Sequence, residues 1–434
     1  MTTVKPFAAA LRRELREARP RPTRAAFWAA LCSLLLYAVW RHLTYMSMVD
    51  MLVYRAEGAA VLHGQDLYAI RVSSWSLPAT YPPFAAMLFT PTALLAVPVL
   101  RILVTAGNVL LLAVLAYQSC RLVRWPSAGL RPAVVLLAAG FGVWLEPVFN
   151  TLRYGQINLL LAVLVLADLQ RPDGSRGKGV LIGLAAGIKI TPAFFAVYLL
   201  LSGRPRAALN AALSCAATVA IGALVLPRAS WDFWTANLWD TRRVGKEYIV
   251  DNQSLRGAID RLLHTPHAGV SVLVASAVVL VLGLTVAVRL ERRAKTLPRA
   301  EAWAYVCVAV TCLLVSPISW THHWVWCVPL LVLLAAEAGH ERARQDGRVR
   351  WRALAVTVAV ACCSFSMWLV PHQGETDLTI PLPLQPFASL YPLLGLCLLL
   401  LAAVRLRRRR KPVLTHRQPS RSASAASTSI DASS

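Results

Sequence analysis

Residues 270–290 read VSVLVASAVVLVLGLTVAVRL, a run without charge until Arg289, and Glu291, Arg292, Arg293 and Lys295 follow at once. At 1.5 Å per residue a helix of this length covers about 30 Å, the thickness of a bilayer's hydrocarbon core. A helix apolar on every side has no face to offer water, so the segment predicts a membrane helix. Comparable runs recur along the 434 residues, of which 57% are apolar and 15% charged, against roughly 45–50% and about 25% in soluble proteins. The mean hydropathy is +0.54. Disorder and an ordinary cytosolic globule are excluded, and the fold class is all-α: a polytopic integral membrane protein with about 10–12 transmembrane helices.

Forty-five Lys and Arg against 21 Asp and Glu leave a net charge of +24. These cations gather in a few loops, the positive-inside pattern of a cell-membrane protein, and no basic-aromatic module stands apart from the apolar runs. No nucleic acid is therefore expected as a partner. Lys5, Arg12, Arg13, Arg16, Arg19, Arg21 and Arg24 mark residues 1–24 as a basic arm, and Arg405, Arg407 and Lys411 mark the other end, so both termini read as cytoplasmic. Residues 25–404 hold the membrane domain, and 405–434, basic and then Ser/Ala-rich, read as a disordered cytoplasmic tail. The first apolar run, Ala25 to Tyr45, is too long for a signal peptide and lacks a small-x-small site before Asp50, so it reads as a retained anchor. All nine cysteines lie in or at the end of apolar runs and read as small buried residues without metal spacing or a disulfide framework.

Further basic clusters at Arg292–Arg299 and Arg342–Arg352 fix the later crossings and put residues 371–386, which contain no Lys or Arg, outside. Residues 228–267 form a long external loop with Trp231, Trp234 and Trp239, an interfacial belt. The stretch 179–202 is basic on both flanks, with Arg171, Arg176 and Lys178 before and Arg204 and Arg206 after, and is interrupted by Lys189 and Pro192. It reads as a re-entrant hairpin turning at Lys189, a geometry tolerated in a bilayer only where it lines a cavity. Between Tyr81 and Arg121 about 40 residues with Pro91 and Pro98 fit two spans or one span plus a surface helix, and Arg121, Arg124 and Arg131 favour one net crossing.

This topology sends the unusual polar residues to one side. Asp50, Tyr81-Pro82-Pro83-Phe84, Gly155-Gln156-Ile157-Asn158, Lys189, Asn252-Gln253-Ser254 and Ser316 to His323 all face outside, and Glu146 sits about a turn below that surface within a span from Pro132 to Asn150. An acid inside a membrane helix costs several kcal/mol unless paired or hydrated, which marks Glu146 as a site residue with Lys189 as its nearest partner. Read singly, each motif has a plainer account. Asp50 is a solvated cap, Tyr81-Pro82-Pro83 a helix start, Gln156 and Asn158 fillers of helix ends, and Asn252-Gln253-Ser254 a sequon that matters only in a glycosylating compartment. His322 and His323 are adjacent and cannot form the i, i+4 pair of zinc enzymes. No cofactor is expected, and the absence of a glycine-rich phosphate loop argues against a nucleotide donor.

In combination and in this order, the motifs Asp50-Met51-Leu52-Val53-Tyr54, Tyr81-Pro82-Pro83-Phe84, Glu146-Pro147, Gly155 to Asn158, Gly187 to Pro192, Asn252 to Gly257 and Ser316 to His323 resemble glycosyltransferase family 87. These are polyprenyl-phosphate-mannose-dependent mannosyltransferases of GT-C fold. The resemblance spans residues 25–404. It implies an external-face active site, a polyprenyl-phosphate-sugar donor, mannose as the sugar, and a lipid or glycolipid acceptor. In that family's wider fold class an acid of the first external loop is the catalytic base, and Asp50 holds that place. An ionised carboxylate can accept the proton of an acceptor hydroxyl, while the departing lipid phosphate needs cationic donors, for which Lys189, Arg55, His322 and His323 are the candidates. Gln156, Asn158, Asn252 and Gln253, with Glu146 and Tyr81, are the candidates for sugar or acceptor binding, since amides both donate and accept. Single displacement inverts the anomeric centre and gives an α linkage from a β-linked donor. A lipid-linked sugar transporter or flippase is the competing reading, because Asp50, Glu146, Lys189 and a broken helix also suit a carrier. A membrane scaffold leaves Glu146 and Lys189 without a purpose.

The topology has a direct test. Single cysteines at Ser254, Trp320 and Gln373 should react with an impermeant thiol reagent from outside, and those at Arg293, Gln345 and Ser424 only after the membrane is opened. Protection of the Trp320 position in intact cells would scatter the motifs over both faces.

Overall fold

The computed structural model describes residues 4–341, 350–372 and 374–407. Gln345, Gln373, Ser424 and the tail from residue 408 onward lie outside the described residues, as do Arg342, Arg344 and Arg348. Helices dominate; the sole β pairing among the described residues is a two-residue antiparallel ladder, Arg71–Val72 with Leu77–Pro78.

Among the described residues seven helices are long and apolar enough to cross a bilayer: Pro20–Thr44, Val97–Leu122, Pro205–Val225, Gly269–Arg292, Thr321–His340, Trp351–Trp368 and Leu390–Arg407. The pair Ala128–Trp144 and Glu146–Tyr154 makes up to eight if counted as one span. The protein is thus a polytopic all-α membrane protein. Fewer helices pass this length test than the about 10–12 expected; the other apolar helices near the site are shorter pieces: Asn158–Leu169, Ala300–Val315, and the hairpin arms Val180–Ile188 and Ala193–Leu201. Pro-Pro before Phe84 starts a six-residue helix, Pro83–Leu88, which leads through Thr90–Ala93 into the single long helix Val97–Leu122. Proline stands in the first turn of several helices, at Pro20, Pro98, Pro132, Pro147 and Pro205 and at Pro227 of the short helix Pro227–Asp232, where its missing N–H leaves nothing unpaired.

Burial sorts the long helices into a shell and a centre. In six of them only 17–33% of the apolar window is buried, whereas 72% is buried in Thr321–His340. Leu36, Leu43, Ile102, Leu213, Leu224, Leu273, Val281, Val356 and Leu400 stand exposed on the shell, the surface a lipid-facing helix presents. At the centre, Ala300–Val315 is buried at every position except Glu301 and Val315. Cys32, Cys363 and Cys397 are exposed on outer helices rather than buried, which corrects the expectation for those three; lipid, unlike water, sets no penalty on an outward-facing thiol.

The hairpin is seated by small residues. Gly179, Gly183 and Gly187 recur every fourth residue, so they line one face, and they meet the Pro205–Val225 helix in step at Ala207, Ala211 and Thr218. A Cβ on Gly183 would stand 2.2 Å from the Ala211 carbonyl oxygen, a backbone atom that cannot give way. Small residues let helix backbones approach where apolar burial supplies no drive. Lys178 Nζ and Arg204 Nε, before and after the hairpin, both lie 2.7 Å from Asp173 Oδ1. Its two arms therefore start and finish at one end of the bundle, and the chain turns back at Lys189, where the backbone becomes extended. Since Gly187 is level with Thr218, the tip sits roughly 10 Å below the Val225 end of the neighbouring helix.

The expected span from Pro132 to Asn150 is not continuous. A 3-10 turn at Gly142–Trp144 and an extended Leu145 break it, and the two pieces meet at 72°. Glu146 consequently opens a second helix.

Gly183→Ala should lower the melting temperature of the detergent-solubilised protein, by the about 1–3 kcal/mol that overpacking costs. Gly174→Ala, where a Cβ meets nothing within 4 Å, should leave it unchanged; equal melting of the two variants would remove the glycine seat from the account.

Candidate active site

Asp50 lies in the first turn of the helix Val49–Leu62, entered through Met48 in the left-handed region. Its Oδ2 accepts a hydrogen bond from Gln156 Nε2 at 2.7 Å. Gln156 reaches it because Gly155, at φ +72°, ends the Glu146–Tyr154 helix directly against Met48 and Met51; a Cβ there would stand 2.7 Å from that of Met51. The other end of the amide is fixed too. Gln156 Oε1 accepts from Tyr54 at 2.8 Å and from Tyr81 at 3.2 Å, and the two phenol oxygens are 2.8 Å apart. With its carbonyl taken by two phenols, the amide can turn only its NH₂ to the carboxylate. Oδ1 of Asp50 makes no hydrogen bond among the described residues and is left to accept a proton. Burial pushes the Asp50 carboxyl up to about 6, opposed by the Gln156 hydrogen bond and the charge of Lys189. It is thus a stronger base than a free carboxylate yet still ionised at neutral pH. Glu57, the other acid behind the first span, is fully buried and pushed up to about 8, which keeps it protonated at that pH.

Lys189 faces the same group from the hairpin tip. Its ammonium lies 5.5 Å from the centre of the Tyr81 ring, a cation–π contact, and donates to His323 Nε2 at 2.9 Å and to Asn158 Oδ1 at 3.3 Å. Asn158 Nδ2 in turn donates to the His322 carbonyl at 3.0 Å, as does Thr151 at 3.2 Å. These bonds hold the 3-10 turn Thr321–Trp326 against the Asn158–Leu169 helix. Lys189, Asn158 and His323 stand at the polar end of a half-open pocket whose walls include Leu161, Val165, Phe195, Leu313 and Trp326. A cation at the head of an apolar cleft suits a lipid with an anionic head. His322 Nε2 is buried and unpartnered among the described residues.

The matching family model is that of glycosyltransferase family 87, over residues 79–317. The chain is 34% identical over 340 residues, 73% of its length and 78% of the relative's, to a polyprenol-phosphate-mannose-dependent alpha-(1-2)-phosphatidylinositol mannoside mannosyltransferase of Mycobacterium tuberculosis. It is 35% identical over 371 residues, 80% of its length and 82% of the relative's, to the protein so named in Mycolicibacterium smegmatis. A phosphatidylinositol pentamannoside mannosyltransferase of M. tuberculosis is 35% identical over 78% of each chain. The chain belongs to glycosyltransferase family 87. It is a membrane hexosyltransferase, and nothing in these relatives favours a carrier. No solved structure matches it.

Within this glycosyltransferase the structure unites Asp50, Tyr81, Gln156, Asn158, Lys189, His322 and His323, and sets other expected residues apart. Glu146 has no contact with Lys189: its carboxylate takes hydrogen bonds from Asn150 at 2.5 Å, Trp368 at 3.2 Å and Tyr391 at 2.7 Å, which satisfy it without a cation. Asn252 donates to the carbonyls of Glu247 and Pro317 and accepts from the N–H groups of Ser254 and Ser319, so its amide is fully engaged in joining two loops. Gln253 bonds Val250 O, Ala388 O and Tyr391 N in the same way. Arg55 donates to the carbonyls of Ala93 and Leu95, on the loop before the Val97–Leu122 helix. Sequence reasoning missed Tyr54, although it closes the Asp50 motif.

Sugar transfer should follow one ionisation near pH 6. Above it Asp50 is the carboxylate and the rate is level; below it the rate should fall ~tenfold per pH unit as the base is protonated. The profile of kcat at saturating acceptor between pH 4.5 and 8 measures this, and a level profile down to pH 4.5 would separate Asp50 from proton transfer.

Proposed function

We propose that this chain transfers mannose from a polyprenyl-phosphate donor to a phosphatidylinositol mannoside on the outer face of the cell membrane, forming an α-(1→2) bond with inversion. In this reading residues 25–404 are the catalytic domain and both termini are cytoplasmic. The donor and acceptor classes are those in the names of the relatives. The observation that carries the reading is the chain of contacts from Asp50 through Gln156 and Tyr81 to Lys189, which stands at the head of an apolar cleft.

The residues support a single displacement. The isoprenoid chain lies in the cleft lined by Leu161, Phe195 and Trp326, and Lys189 and His323 receive the phosphate at its polar end. As the anomeric bond breaks, negative charge grows on the phosphate oxygen, and a cation already fixed there gains most at the transition state. Asp50 Oδ1 takes the acceptor proton as the hydroxyl oxygen attacks. Gln156 keeps the carboxylate aimed, so little orientation is lost on reaction. Asn158 and Tyr81 stand beside the sugar.

Asp50→Asn keeps the shape and the bond from Gln156 but removes proton acceptance, which contributes about 10²–10⁴-fold. Mannosyl transfer by the purified variant should fall by at least about 10²-fold, with donor binding kept. Asp66→Asn, at an acid that caps Tyr68 N and Ala69 N, should be close to wild type. A fully active Asp50→Asn removes the base. A wild-type protein that carries a lipid-linked sugar across liposomes without transferring it would make the chain a carrier.

A further inference from the structure

One carboxylate on the loop bonded to the Thr321–Trp326 turn has no part in the chemistry above. Asp251 is half-buried, and its backbone is pinned: its carbonyl accepts from Thr321 N at 3.0 Å, and the next residue, Asn252, pairs with Trp320 in an antiparallel bridge. Its side chain makes no hydrogen bond among the described residues. The position is rigid, and the acceptor capacity is unspent.

The surroundings are of mixed charge. Arg153 is exposed, with its guanidinium 5.6 Å from the centre of the Tyr154 ring. That ring stands edge-on to His322 at 5.4 Å, and His322 edge-on to His323 at 4.9 Å. Arg153 and Tyr154 are thus separated from Lys189 by two imidazole rings. His372 approaches from the loop after the Trp351–Trp368 helix, packed on Trp368. Burial and Asp377 push the Asp251 carboxyl up to about 6, against His372, Arg153 and Arg261. Arg261 is no ligand candidate, since it is buried and spends its donors on the carbonyls of Tyr248, Ile249, Asn252 and Ala388.

We propose that Asp251 and Arg153 form the acceptor-reading subsite, Asp251 accepting hydrogen bonds from adjacent hydroxyls of the acceptor sugar and Arg153 pairing with the phosphodiester of its lipid headgroup. The inference rests on the transfer reaction proposed above. In an inverting displacement the acceptor enters opposite the leaving group. The leaving phosphate goes to Lys189 and His323; Arg153 lies beyond the His322 and Tyr154 rings from them, and Asp251 is bonded to Thr321, the residue before His322. An ionised carboxylate is an acceptor only, matched to a diol's two donors, and a guanidinium is matched to a phosphate.

The test uses the full-length protein in nanodiscs with polyprenyl-phosphate mannose and two acceptors, a phosphatidylinositol mannoside and octyl α-mannoside, which has the sugar without the phosphodiester. Asp251→Asn should raise KM for both acceptors at least about tenfold, the loss of a charge-assisted hydrogen bond, with the donor KM unchanged. Arg153→Gln should raise KM for the phosphatidylinositol mannoside more than for octyl α-mannoside. Should Asp251→Asn fail to accumulate, Asp251→Glu, which keeps the charge but lengthens the side chain, should show the same split between acceptor and donor KM. Donor and acceptor KM that move together, or an unmoved acceptor KM, would overturn the subsite while leaving the mannosyl transfer intact. A wild-type protein inactive on both acceptors would overturn the transfer reading, and this inference with it.

Discussion

A broken backbone inside a bilayer has no water to bond to, and each unpaired N–H or C=O costs several kcal/mol. This glycosyltransferase breaks its backbone repeatedly near the site: at Leu145, Gly155 and Lys189 the N–H still bonds a carbonyl of the preceding turn, whereas the loops around Asn252 and Ser316 to His322 depend on side chains that take water's place. Asn158 and Thr151 hold the His322 carbonyl. Asn252 serves four backbone groups, Gln253 three and Arg261 four carbonyls. Buried amides are suited to this because one group both donates and accepts.

The same requirement separates framework from chemistry. Asn252, which closes two loops, has no amide capacity to spare, whereas Asp50 Oδ1, His322 Nε2 and the Asp251 carboxylate retain theirs. Glu146 shows how an intramembrane acid can be structural: three neutral donors from Asn150, Trp368 and Tyr391 satisfy it and draw the bent helix to the last two spans.

At the opposite end, charge does the fastening. Asp173 joins Lys178 to Arg204, Arg204 also pairs with Glu291, and Glu337 joins Arg299, Arg405 and Trp303. These networks tie the hairpin and the last helix to the centre. The tip at Lys189 is therefore presented by a fixed element, as preorganised electrostatic stabilisation requires.

Fold class, the polytopic character and the hairpin at Lys189 were legible in sequence because each depends on local quantities: the length of an apolar run, the charge of its flanks, and a lysine with a proline where neither belongs. Asp50, the proposed base, was singled out by its position in a motif series. The partnering of polar residues was not, since one residue type serves both a loop and a ligand: Asn158 meets Lys189 while Asn252 is consumed by backbone, though both stand in equally polar motifs. Glu146 lies four residues before Asn150 but 245 before Tyr391, and no local pattern reports the second distance. Sequence determined which residues enter the membrane and which are out of place there. Only the tertiary structure decided which of those keep a free hydrogen-bonding atom, because that depends on backbone breaks brought together from distant parts of the chain.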